Sequence, residues 1–119
     1  IAGARTQREA KLAANAVATP CLVKTAVFGE DANWGRILAA IGRSGARVDQ
    51  DTIDLSLGGR PIVKGGVSLG PQAERRIARV VKRKQFTIIA DLHQGQATAR
   101  RWTTDLSYDY VRINASYRS

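Results

Sequence analysis

Ala10, Ala13, Ala14 and Val17 recur at the three- and four-residue steps of a helix face, and Thr6-Gln-Arg-Glu9 ahead of them has the spacing of a capping box. A helix is therefore predicted from Thr6 to about Ala18, where Pro20 prevents continuation, and its small residues suggest close packing on a flat surface such as a sheet. Leu22-Val-Lys-Thr-Ala-Val-Phe28 is short and rich in β-formers, so it reads as a strand. A turn over Gly29 to Ala32 leads to Asn33, which can cap a second helix with Trp34, Ile37, Leu38 and Ile41 on its buried side and Gly42 or Gly45 near its end. Ile53, Leu55 and Leu57 alternate with polar residues. Gly58-Gly59 then supplies the positive φ values of a two-residue hairpin turn before Arg60-Pro-Ile-Val63, where Pro61 confines the return strand to an edge or a bulge.

Gly70-Pro71 opens a third helix to about Lys84, with proline at a first-turn position where its missing N–H costs nothing. Phe86 to Leu92 and Ala97 to Thr104 read as two strands joined through Gln94-Gly95 in an antiparallel hairpin. Helices mixed with hairpins, rather than repeated βα units, predict an α+β fold. Its form is a layered α/β sandwich with a mainly antiparallel sheet and about three helices, over one domain spanning residues 1–119. The last stretch, Asp105 to Ser119, mixes Tyr108, Tyr110, Val111 and Ile113 with Asn114 and Ser116 up to the terminal Ser119. A frayed tail would be small and polar, so these side chains are expected to pack and to hold Asn114, Ser116 and Ser119 as a candidate site for a small polar ligand. Ile1-Ala-Gly-Ala, without Met or a signal sequence, suggests a piece of a longer polypeptide.

Nineteen Lys and Arg against ten Asp and Glu give a net charge of +9, which raises a phosphate-rich or acidic partner. The distribution argues against nucleic acid. Arg75, Arg76, Arg79, Lys82, Arg83 and Lys84 share a helix with Ala73, Ile77, Val80 and Val81 and so form its solvated face, without the interleaved aromatics that stack on bases. No apolar stretch reaches the roughly 20 residues of a membrane span. A lone Cys21 excludes an internal disulfide and a cysteine zinc cluster, favours a reducing, cytoplasmic setting, and is expected to be a small buried filler. Scattered acids predict no metal site, and no cofactor is implied. His93 stands near a predicted turn, where surface exposure outweighs a catalytic role for want of a visible partner. Gly58-Gly59 and Gly65-Gly66 lack the lysine of a phosphate loop and are turns. The Glu30-Asp-Ala-Asn-Trp-Gly-Arg36 turn admits two readings, a helix cap tied down by Arg36 and a loop beside a ligand, of which the first is favoured because caps are common.

Leu22 to Ile37 and Thr104 to Ser119 resemble the ornithine acetyltransferase family, the bifunctional glutamate N-acetyltransferases of arginine biosynthesis. The helix around Arg5 to Ala18 fits the preceding family segment, so the resemblance covers essentially the whole chain; Ala32 and Thr19-Pro20-Cys21 depart mildly from the usual residues. The resemblance implies the C-terminal part of the second, β chain of a precursor that cleaves itself, with the N-terminal threonine nucleophile of that chain outside this sequence. No residue here is then catalytic. The substrate-contacting positions that carry over are Asn114 and Ser119. The implied reaction moves acetyl from N-acetylornithine to glutamate through an acetyl-threonine, in a cytoplasmic hetero-oligomer with the α chain and the rest of the β chain, without nucleic acid or membrane. The alternative of another class is a non-catalytic basic module binding an acidic or nucleic-acid partner.

Overall fold

The structure, a computed structural model, describes residues 1–116. Helix α1, Gln7–Ala18, starts as its capping box predicts, with Thr6 Oγ1 accepting from the Glu9 backbone N–H at 3.1 Å. Helix α2 covers Cys21–Phe28, where a strand was predicted. Its β-branched residues fit either element, but Val23 and Ala26 are buried at a helical three-residue step, and Pro20 stands at the N-cap. Helix α3, Trp34–Gly42, is capped by Asn33 as expected, with Ile37, Ala40 and Ile41 buried.

Strands β1, Asp54–Leu57, and β2, Arg60–Lys64, form the predicted hairpin, with φ of 57° at Gly58 and 79° at Gly59. A Cβ on Gly58 would stand 2.6 Å from Val80 Cγ1, so the turn also needs glycine to let the following helix approach. A second glycine turn at Gly65-Gly66 leads into β3, Val67–Ser68. Strand β2 is interior, because the sheet order is β3-β2-β1-β4, with β4 at Ile88–Asp91. Pro61 is tolerated there since the two residues of β3 pair only with Val63 and Lys64, and the β1–β2 register is irregular beside Leu55 and Ser56.

Helix α4 runs from Pro71 to Val80, shorter than the predicted end at Lys84, and packs on β2. Helix α5, Tyr108–Ser116, brings the described helices to five where about three were expected. The α+β class with an antiparallel sheet holds. One buried cluster joins Ala10, Ala13, Ile37, Ile41, Leu55, Leu57, Ile62, Ile77 and Leu92, so most of the elements share a core. The alanine face of α1 lies chiefly against α3 rather than on the sheet, the small side chains permitting close helix approach.

The predicted hairpin between residues 86–92 and 97–104 is absent. Ile1 to Ala4 takes the place beside β4: Ala2 N–H donates to Ala90 O and Leu92 N–H to Ala2 O, each at 2.9 Å, in a parallel bridge. Residues 97–99 pair with this segment instead, through mutual Ala4–Ala97 bonds at 3.0 Å and an Ala99 N–H to Ile1 O bond.

Candidate functional site

The two stretches that resembled a known family lie far apart in sequence and meet in the fold. Ser107 caps α5, its Oγ accepting from Tyr110 N–H at 3.0 Å, and Leu106 N–H donates to Lys24 O on α2 at 3.2 Å. The Phe28 and Tyr108 rings stand edge to face with centroids 5.4 Å apart. On the other side of α2, Arg36 Nη1 donates to Leu22 O at 2.8 Å. Asn33 Oδ1 accepts from Arg36 N–H, while its Nδ2 donates to Asp31 Oδ2, both at 3.2 Å. These bonds give the Asp31 to Arg36 turn the capping and loop-tying role favoured from its residue types. Helix α2 is thus held between the turn and the tail helix.

Asn114 is exposed on α5, and one Nδ2 hydrogen is committed to Tyr110 O one turn back at 2.9 Å. Its Oδ1 accepts from no donor among the described residues, which leaves an amide acceptor for a ligand. Ser119, the other expected substrate contact, lies outside the described residues. The aromatic and apolar groups expected to pack the tail are exposed in this chain: Tyr108 is 83% exposed, and Tyr110, Val111 and Ile113 are each more than half exposed. The tail forms a helix anchored at its first turn, and its apolar groups find no cover within the described residues. Ser116 is likewise exposed, and its hydroxyl donates to Arg112 O at 2.6 Å.

His93 has the partner that the sequence does not reveal. Its Nε2 lies 2.7 Å from Asp54 Oδ2 and its Nδ1 3.6 Å from Asp91 Oδ1. The Asp54 hydrogen bond, assisted by the Asp91 charge, raises the imidazole pKa above its ordinary value. The Gly65 backbone N–H first, then His93, holds the Asp54 carboxyl below its own. Asp54 occupies a polar position in the alternation of β1, but only the β1–β4 pairing, Asp54 opposite Asp91, assembles the cluster. Among the described residues, no group of three or more His, Cys, Asp or Glu is placed to hold a metal ion. Cys21 is exposed at the start of α2, not the buried filler expected, because the helix turns that position outward. The cations of α4 and the turn after it are exposed as predicted, and none of the six forms an ion pair among the described residues. No helix among the described residues is long and apolar enough to cross a membrane.

The whole of residues 1–119 matches the ArgJ family. The chain belongs to the ArgJ family. It is 54% identical over its full length to the arginine biosynthesis bifunctional protein ArgJ of Geobacter sulfurreducens, and 49% identical to that of Symbiobacterium thermophilum. It spans 30% and 29% of those relatives. The crystal structure of ArgJ from Bacillus halodurans superposes with a TM-score of 0.89 at 43% identity, over 98% of this chain and 55% of that one. The α2–α5 junction is where the chain's Leu22–Ile37 and Thr104–Ser119 stretches meet.

Proposed function

We propose that this chain is the C-terminal part of the β subunit of an ornithine acetyltransferase of arginine biosynthesis, moving acetyl from N-acetylornithine to glutamate. The observation that supports the reading is 54% identity, over the whole of this chain, to 30% of a bifunctional ArgJ protein. The threonine that carries the acetyl group belongs to the portion of the enzyme outside these residues, so the chemistry is done elsewhere and this chain supplies substrate contacts. Asn114 fits that part: an exposed amide with a free acceptor, on a helix anchored to α2, can take a hydrogen bond from the ammonium group of an amino-acid substrate. Ser119, the second proposed contact, would act from the end of the same tail.

Transfer is a two-step exchange. The threonine oxygen attacks the acetyl carbonyl of N-acetylornithine and ornithine leaves; the glutamate amine then attacks the acetyl-threonine and frees the hydroxyl. Positioning groups matter in both steps, since the two substrates share an α-amino-acid head that must be held at the same place.

The test is acetyl exchange from N-acetylornithine to glutamate with the remaining segments supplied. Residues 1–119 alone are expected to be inactive and the reassembled enzyme active. Asn114→Ala in that enzyme should lower kcat/KM by roughly tenfold to hundredfold, the worth of a hydrogen bond to a charged group, without changing Tm. Unchanged kinetics would remove Asn114 from the site. Exchange by the isolated chain would contradict the assignment of the nucleophile to another segment.

A further inference from the structure

Helix α5 joins the body of the molecule at its first turn. Leu106 and Ser107 are half-buried, whereas every residue from Tyr108 to Ser116 is exposed. Two attachments reach α2: the Leu106 N–H donates to Lys24 O, and the Tyr108 ring stands edge to face with Phe28. Lys24 and Phe28 are one helical turn apart, so both attachments lie on one face of α2, about 6 Å from each other along its axis.

Helix α2 is a firm base for them. It buries Val23 and Ala26, and its end is closed by Glu30 N–H donating to Val27 O at 3.1 Å and Asp31 N–H to Ala26 O at 2.9 Å, the paired bonds of a Schellman motif. Glu30 takes the left-handed position of that motif, with φ of 55°. On α5, the Ser107 Oγ accepts from Tyr110 N–H, and the Asn114 Nδ2 donates to Tyr110 O. The Asn114 amide is therefore tied to the same turn as the anchor and moves with the helix as one body.

We propose that Tyr108 and Phe28 are positioning residues, whose ring contact sets the angle of α5 on α2 and thereby the place of the Asn114 amide before the substrate. This rests on the reading of Asn114 as a substrate contact. The Leu106–Lys24 hydrogen bond fixes a point and leaves the helix free to swing about it. The ring contact, one turn of α2 away, removes that freedom. Asn114 lies about 9 Å beyond Tyr108 along α5, so a swing of about 10° carries its amide roughly 1.5 Å. For a group that holds a substrate, a misplacement of about 1 Å can cost as much as a hundredfold in rate. Tyr108 is 83% exposed and Phe28 39%, so the pair covers little apolar surface, and its worth lies in the direction that edge-to-face geometry imposes.

A double-mutant cycle in the reassembled enzyme tests this, read as acetyl exchange from N-acetylornithine to glutamate. Tyr108→Ala should lower kcat/KM roughly fivefold to tenfold, and by no more than Asn114→Ala does, with Tm unchanged because the ring removed is exposed. Phe28→Leu keeps apolar bulk but removes the edge-to-face partner, and should reproduce the loss. Tyr108→Phe keeps the ring and should restore the kinetics of the parent enzyme. In the Asn114→Ala background, Tyr108→Ala should cost nothing further, since a residue that acts by placing Asn114 has nothing left to place. Equal losses in both backgrounds, or no loss from Tyr108→Ala, overturn the positioning role and leave Asn114 as a contact. Unchanged kinetics in Asn114→Ala alone sink the substrate-contact reading and the positioning role with it, so the two failures are told apart.

Discussion

His93 binds its proton more tightly than a free imidazole because Asp54 accepts its hydrogen bond, with Asp91 adding charge. A folded pKa raised above the ordinary 6.5 means that this stabilisation is complete below about pH 6.5 and is lost as pH rises through the folded value. Asp54 has the opposite sign: its depressed pKa stabilises above the ordinary 3.8 and is lost as pH falls through the folded value. Both contributions are present between those limits. Asp54→Asn should bring the His93 titration, followed by its ring proton shifts, back toward 6.5 and flatten Tm between pH 6 and 8. A titration unchanged by the substitution would show that the pair is not formed in solution. Glu9 is a buried carboxylate that accepts from the Arg47 backbone N–H and from Arg5 Nε, and these bonds hold its pKa below the ordinary value. The capping-box spacing was legible in sequence, but the carboxylate serves Arg47, 38 residues away, rather than the free N–H of its own helix start. Glu9→Ala leaves that N–H without its partner and should lower Tm by several degrees, measured by thermal melting.

Helix α2 shows where local propensity loses to packing. Eight residues containing Val23, Thr25 and Val27 have little helical tendency alone, and a helix this short is marginal in water. It is held by Arg36 on one side and by the α5 anchor on the other. Arg36→Ala should cost about 1 kcal/mol of stability while leaving kcat/KM of the reassembled enzyme intact. Selective loss of activity at unchanged Tm would instead move the turn into the site. The β1–β2 turn is the converse case, since Gly58-Gly59 states its conformation in the sequence. Gly58→Ala forces a side chain to adopt φ of 57° against Val80 and should cost about 1–3 kcal/mol, read from denaturant unfolding at constant m.

For the molecule as a whole, Ile1–Ala4 is structural in a way that its composition conceals. Ala4 is fully buried, and Gly3 is required twice over, by its φ of 66° and because a Cβ there would collide with Asp91 Oδ1. The segment joins β4 to residues 97–99, so removing residues 1–4 opens the sheet on that side. That deletion should lower Tm more than any of the point changes above, and it should leave the β1–β2 hairpin amides protected from exchange while those of β4 lose protection. Net charge does not alter this architecture; the cations of α4 stay on its solvent side and take no part in the core.

The sequence alone determined whatever depends on near neighbours: the caps at Thr6 and Asn33, Pro71 at a helix start, two glycine turns, and the apolar faces of α1, α3 and α4. It also carried the two stretches that mark the family. Tertiary structure decided whatever depends on pairing across the chain. A short apolar run such as Leu22 to Phe28 satisfies both helical and strand periods, and only its neighbours select one. Strand pairing leaves no local trace, so the choice of Ile1–Ala4 over Ala97–Thr104 beside β4 was invisible, as was the meeting of Asp54 with His93. The same limit applies to the tail: its composition marks Tyr108, Tyr110, Val111 and Ile113 as groups that seek cover, and only the fold shows them exposed on α5.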